Sequence, residues 1–144
     1  MSRVSGEIGN SQGATALVVE DNEQVRGLEV LTLRVAGLNV IGVEDAAQAL
    51  AILRGRSSDI DLLVTDVVMP HIGGAELARA AVELQPGIRV LFASGYGDDV
   101  LAGDALPDCA HAFLKKPFGV DTLVNLAKAL LTADRPNSSQ PVAG

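Results

Sequence analysis

A single cysteine, Cys109, occurs in the 144 residues, so no intrachain disulfide can form, and a reducing cytoplasm is the expected setting. Basic residues are outnumbered: 11 Lys and Arg stand against 18 Asp and Glu, a formal net charge of -7. That balance leaves no basic stripe for a phosphate backbone, which argues against direct nucleic acid binding and points to protein as the partner. Long apolar runs are missing too. No stretch reaches the ~18 to 20 residues that span a membrane, and none follows a basic signal-peptide start, so no membrane contact is expected. Internal repeats are absent. What remains, at 48% hydrophobic and 20% charged residues, fits one ordinary globular domain. Gly and Ser are frequent up to Ala14, and Pro136, Asn137, Ser138, Ser139 and Pro141 crowd the other end. Flexible segments are therefore expected over 1–14 and 133–144, around a domain spanning 15–132.

Within that span short apolar runs alternate with longer helical patterns. The runs are Ala16 to Val19, Val40 to Val43, Leu62 to Val64, Ile88 to Ala93 and Ala110 to Leu114, each of strand length. Leu77, Ala81 and Leu84 follow Gly73-Gly74 at helical spacing, and Leu123, Ala127 and Leu130 follow Asp121, which can cap or sit in the first turn. Ala46 to Leu53 is another amphipathic stretch, and Gly37 stands where a left-handed cap should end the first helix. The order is βαβαβαβαβα. Strands that are apolar without alternation, such as Leu62-Leu63-Val64, belong in a parallel sheet covered on both faces by right-handed crossovers.

Ligands of such sheets bind beyond the carboxyl ends of the strands, at the switch point of the winding. Glu20-Asp21 end the first run, Asp66 the third, Ser94 the fourth and Lys116 the fifth. Carboxylates gathered at one site repel each other and call for a cation, while a lysine beside them suits an incoming anion such as a phosphoryl group. Taken singly these residues have plainer uses: Glu20-Asp21 as a helix cap, a task Asn22 could do alone, Asp66 as a turn residue, Ser94 as a loop hydroxyl and Lys116 as a solvated charge. Their joint placement is what points to chemistry.

The runs LVVEDN (Leu17 to Asn22), LLVTDVVMP (Leu62 to Pro70), LFASGY (Leu91 to Tyr96) and FLKKPF (Phe113 to Phe118) resemble the receiver domain of bacterial two-component response regulators. The likeness runs in order and in spacing from Thr15 to Thr132, and LFASGYGDD has the flavour of receivers attached to hybrid histidine kinases. It implies a flavodoxin-like (βα)5 three-layer sandwich, with a five-stranded parallel sheet in the order 2-1-3-4-5. It also implies a function. Asp66 resembles the phosphoacceptor, which takes a phosphoryl group from a phosphohistidine on a histidine kinase or histidine phosphotransfer protein. Mg²⁺ would be held by Asp21, Asp66, the Val68 carbonyl and waters, with Glu20 acting through water. Lys116 resembles the lysine that neutralises a phosphoryl oxygen; Lys115 competes for the role, but the family pattern assigns it to the lysine directly before proline, Pro117, often after a cis peptide.

Ser94 and Phe113 match the switch pair, a hydroxyl that moves to the phosphoryl oxygen and an aromatic that turns inward behind it. Phe113 replaces the tyrosine of many relatives, which puts in doubt any output needing a hydroxyl there. Val68 and Tyr96 fall on the rim of the pocket, and the segment Asp98 to Leu106, with Gly103 and Pro107 close by, is expected to be a weak and mobile helix. His71 and His111 lack clustered partners and are expected to be structural or solvent-facing, and Cys109, with no nearby Cys and no activating base, is not expected to play a redox role. The first helix carries more apolar surface than one face hides. Spacing alone buries Val25, Leu28, Leu31 and Val35, and the family pattern buries Val25, Leu28, Leu33 and Ala36, with Val30 outside in either case. The leftover apolar side would dock a kinase or phosphotransfer bundle, or pair two copies as a homodimer.

Other classes fit less well. A phosphohydrolase with an aspartate nucleophile resembles D-x-D at the first strand end, where this chain has Glu20-Asp21. A flavin binder needs a Ser/Thr-rich phosphate loop that Asn22 to Gly27 does not offer, and a pure interaction module would have lost site residues present here. The chain is thus expected to accept a phosphoryl group and shed it slowly, without being a turnover enzyme. It would be free-standing or cut from a larger kinase.

Overall fold

A computed structural model describes residues 13–55, 60–69, 71–95 and 109–132. The expected helix at Asp98 to Leu106, Tyr96 and both terminal segments lie outside the described residues. Five strands form one parallel sheet: β1 (Thr15–Val19), β2 (Asn39–Val43), β3 (Leu62–Asp66), β4 (Arg89–Ser94) and β5 (His111–Lys115), in the order β2-β1-β3-β4-β5. Between and after them run α1 (Glu23–Val35), α2 (Ala46–Gly55), α3 (Gly74–Leu84) and α4 (Val120–Thr132). This is the flavodoxin-like arrangement, with its switch point between β1 and β3.

Strand pleating divides the core into two layers. Leu17, Val19, Leu63, Val90 and Phe92 point toward α2 and α3, where Ala49, Leu53, Leu77 and Ala81 meet them. Ala16, Val18, Leu62, Val64, Leu91 and Leu114 point the other way, toward Leu33 of α1 and Leu123, Ala127 and Leu130 of α4. Every residue of β1 and β3 is buried, which is why their sequences show no polar alternation.

Helix ends follow their local chemistry. Asn22 caps α1, its Oδ1 accepting from the Val25 N–H at 3.0 Å. At the other end Gly37 adopts φ 106°, and the N–H groups of Gly37 and Leu38 reach back to the carbonyls of Arg34 and Leu33. Asp45 caps α2 through the Gln48 N–H at 2.8 Å.

The orientation of α1 departs from the spacing expectation and agrees with the family pattern at Leu33 but not at Leu28. Leu33 and Glu29 are its buried residues, and Val30 is half-buried against the core rather than outside. Leu28, Leu31 and Val35 are instead 44%, 61% and 80% exposed. Apolar residues occupy nearly the whole circumference of this helix, so periodicity could not choose a face. Tertiary anchors chose it: the Leu33–Leu38 turn at one end and Arg26, which donates to the Glu20 carbonyl, at the other.

Candidate functional site

The carboxyl ends of β1 and β3 lie side by side, so the residues that follow them share one rim of the sheet. Val19 pairs with Thr65 in the parallel register, which brings Glu20-Asp21 next to Asp66. Carboxylate oxygens of Glu20, Asp21 and Asp66 all lie within 4.8 Å of one another. Glu20 and Asp66 are buried and Asp21 is exposed. Oxygen donors at that spacing, one of them open to solvent, fit a hard divalent cation such as Mg²⁺.

Lys116 enters from the end of β5. Its backbone N–H donates to the Ser94 carbonyl at 2.8 Å, and its Nζ lies 2.6 Å from Asp66 Oδ1 and 2.8 Å from Glu20 Oε1. Burial works to lower the Lys116 ammonium, but bonds to Asp66 and Glu20 outweigh it and hold the value above the ordinary one. Asp66 moves up as well, burial first and the charge of Glu20 after it, against the pull of Lys116. Lys115 is exposed, so the competition between the two lysines ends with Lys116 in the site, followed by a cis bond to Pro117.

The backbone behind Asp66 is tightly placed. The Val67 N–H donates to the Ala93 carbonyl at 2.9 Å and the Gly74 N–H to the Val67 carbonyl at 2.8 Å, folding the β3–α3 loop back on itself. A Cβ on Gly74 would run into the carbonyl of Asp66, so α3 can begin there only without a side chain. His71 in this loop is exposed with φ 71°. A cleft of about 430 Å³ opens over the site, lined by Asp66, Val68, Ala93, Ser94, Gly95 and Lys116. Glu20, Asp21, Asp66, Ser94, Val68 and Lys116 are thus gathered at one end of the sheet, while Tyr96 falls outside the described residues.

Phe113 sits at the middle of β5 opposite Phe92, with ring centroids 5.5 Å apart and stacked. His111 meets both rings edge-on, and its Nδ1 lies 3.0 Å from the Cys109 carbonyl; since a carbonyl only accepts, Nδ1 carries the proton. His111 thus packs into the ring cluster beside the buried Cys109.

Three residues that bear on the site escaped the sequence reading. Arg26 Nη1 donates to the Glu20 carbonyl at 2.8 Å. Gly74 is required by the approach of α3 to Asp66. Glu29 is 1% exposed with neither carboxylate oxygen hydrogen-bonded, and burial first, then the charge of Glu20, pushes its carboxyl up to about 8. The signal for Glu29 was visible as a lone acid inside LEVLTL, but neither the apolar spacing nor the family pattern includes that position among the buried ones.

Comparison with known proteins agrees with this geometry. The sequence profile of the response regulator receiver domain matches residues 16–128. The sensor kinase CckA of Brucella abortus is 36% identical over 121 residues, which is 84% of this chain but 13% of that kinase. The response regulator receiver protein CpdR of the same organism is 34% identical over 117 residues, covering 81% of this chain and 96% of CpdR. Among solved structures, the receiver domain of the hybrid histidine kinase CckA superposes with a TM-score of 0.71 at 33% identity, covering 83% of this chain and all of that one. A receiver protein from Sinorhizobium medicae gives 0.75 at 29% identity, covering 86% and 98%. Fold, strand-end chemistry and sequence therefore place this chain in the response regulator receiver domain family of two-component signal transduction.

Proposed function

We propose that Asp66 is the phosphoacceptor of this receiver domain. One observation carries the reading: a single cluster at the strand ends gathers the Asp66 carboxylate, two further carboxylates able to share a cation with it, and a lysine ammonium within 2.8 Å of two of the three. An Asp66 oxygen attacks the phosphorus of a phosphohistidine; the new O–P bond replaces the P–N bond, and the released imidazole takes up a proton. Asp21, Asp66 and the Val68 carbonyl would hold Mg²⁺, with Glu20 acting through water, and the bound ion would supply the positive charge that lets one anion approach another. Lys116 then exchanges its bond to Asp66 for a phosphoryl oxygen, Ser94 turns its hydroxyl to another, and Phe113 keeps the inward position in which it stacks on Phe92.

Receivers of this family work with histidine kinases or histidine phosphotransfer proteins, and the exposed stripe Leu28, Leu31 and Val35 on α1 supports docking of such a helical partner. The same stripe could pair two copies of the chain, which sedimentation would reveal. Among the described residues no helix is long and apolar enough to cross a membrane, and the formal net charge of -7 disfavours nucleic acid as a partner. The domain accepts and slowly loses its phosphoryl group rather than turning over a substrate.

The test is intact-mass spectrometry after incubation with acetyl phosphate and Mg²⁺. Wild type should gain one phosphoryl group, and Asp66→Asn or a chelator should abolish the gain. An adduct on Asp66→Asn at the wild-type level would move the acceptor elsewhere.

A further inference from the structure

The three carboxylates of the cation site are not held alike. Glu20 is clamped twice, its Oε1 by Lys116 at 2.8 Å and its Oε2 by the Asn22 N–H at 3.1 Å, and Asp66 is buried against Lys116. Asp21 is exposed, and its carboxylate has no hydrogen-bond partner among the described residues. Its position is therefore set by the peptide that leads into it, between Glu20 and Asp21. The carbonyl of that peptide accepts from Arg26 Nη1 at 2.8 Å, the one side chain among the described residues that touches it.

The sequence makes room for that reach. Arg26 sits on the first turn of α1, and its stem passes over β2 at Gly42, where an added Cβ would lie 3.5 and 3.6 Å from Arg26 Cγ and Cδ and 2.8 Å from a methyl of Val30. An added Cβ would thus meet the Arg26 stem at ordinary contact distance, so the stem lies directly over the open face that glycine leaves on β2, and only Val30 would have to give way. A charge-assisted bond from a planar donor fixes a carbonyl more firmly than a neutral one does.

We propose that Arg26 is a positioning residue of the cation site, holding the Glu20–Asp21 peptide in the orientation that aims Asp21 at the ion. The proposal rests on the reading of Glu20, Asp21 and Asp66 as that site. It makes a prediction whose sign separates it from simple electrostatics. A positive charge near a cation site repels the ion, so removal of Arg26 by itself should tighten Mg²⁺ binding. Positioning gives the opposite result.

Mg²⁺ titration by calorimetry, together with amide NMR of the Glu20 and Asp21 resonances, distinguishes the two. Arg26→Met should bind Mg²⁺ about tenfold more weakly than wild type, the scale at which outer contacts tune metal ligands. Arg26→Lys, with the charge kept but the planar fork lost, should fall between. Arg26→Lys also keeps the test open if Arg26→Met does not fold. Binding by Arg26→Met, or by Arg26→Lys where Arg26→Met does not fold, as tight as wild type or tighter overturns the inference. A wild type with no saturable Mg²⁺ binding would remove the cation site itself and this role with it.

Discussion

Replacing Glu29 with leucine should stabilise the fold at neutral pH, by an amount that grows as pH rises. The carboxyl is 1% exposed, neither oxygen is hydrogen-bonded, and its folded-state value is about 8 against 4.5 in a free chain. Burial is the main cause; Glu20 and Asp66 add to it and Lys116 opposes it. The sign follows from the raised value: the folded protein keeps a proton that the unfolded chain releases once pH exceeds 4.5. Stability from this group is complete below that point, declines by about 1.4 kcal/mol per pH unit above it, and has been lost once pH passes through about 8. By pH 7 the loss is on the order of 3 kcal/mol, a large share of the ~5 to 15 kcal/mol typical of a domain. Leucine has no proton to lose. Urea unfolding of both proteins from pH 5 to 8 should give a stability difference that widens in favour of Glu29→Leu, and taking the difference cancels the similar slope from Asp66, whose value burial also raises. Charged groups facing Glu29 are Glu20, Asp66 and Lys116, while β2 carries no titratable residue, so no other nearby group mimics the effect. A difference that stays constant within about 1 kcal/mol over that range would refute the reasoning.

Gly74→Ala should destabilise the domain by about 1 to 3 kcal/mol in urea and slow phosphorylation, because the new methyl displaces the Asp66 backbone; wild-type values for both would mean the α3 terminus yields freely. Lys116→Ala leaves Glu20 and Asp66 facing each other without their shared cation, and its beryllofluoride complex should lack the NMR shifts that wild type shows around Phe113. Identical shifts would sever the lysine from the switch. Val68 is 56% exposed at the cleft and offers no group to orient water, so Val68→Asn should shorten the lifetime of the aspartyl phosphate several-fold, on the order of 1 kcal/mol in the barrier, in a Mg²⁺ time course. Leu31→Asp should reduce phosphoryl transfer from a histidine phosphotransfer protein while leaving acetyl phosphate labelling intact; equal loss with both donors would point to misfolding rather than docking.

The sequence made the strand ends legible because a parallel sheet leaves its ligand-binding side chains in one place: just past the last apolar residue of each strand. Glu20, Asp21, Asp66, Ser94 and Lys116 could be read in this way, and Gly37 could be read as a cap because only a residue free to take φ 106° ends α1 so tightly. The contacts one layer out could not. Arg26 binds a backbone carbonyl, and every residue has one, so no residue type at the acceptor end advertises the bond. Gly74 matters through the atom it lacks. Glu29 contradicts the hydrophobic ranking that sequence reading depends on, and a helix apolar on several sides gave periodicity nothing to discriminate with. The exposed Leu28, Leu31 and Val35 are the other half of that same failure.

The bridge that Lys116 makes between Glu20 and Asp66 also fixes the charge stoichiometry of the site. Three carboxylates against one ammonium leave two net negative charges when all are ionised, which one divalent ion cancels and one monovalent ion does not. Valence thus selects the ion before size does. The metal-free and metal-loaded domains then differ by a full two charges at the strand ends, beside the exposed first turn of α1 with Asp21 and Glu23. A partner approaching along that helix would meet a different field in each state, so occupancy of the ion site would become part of what such a partner recognises.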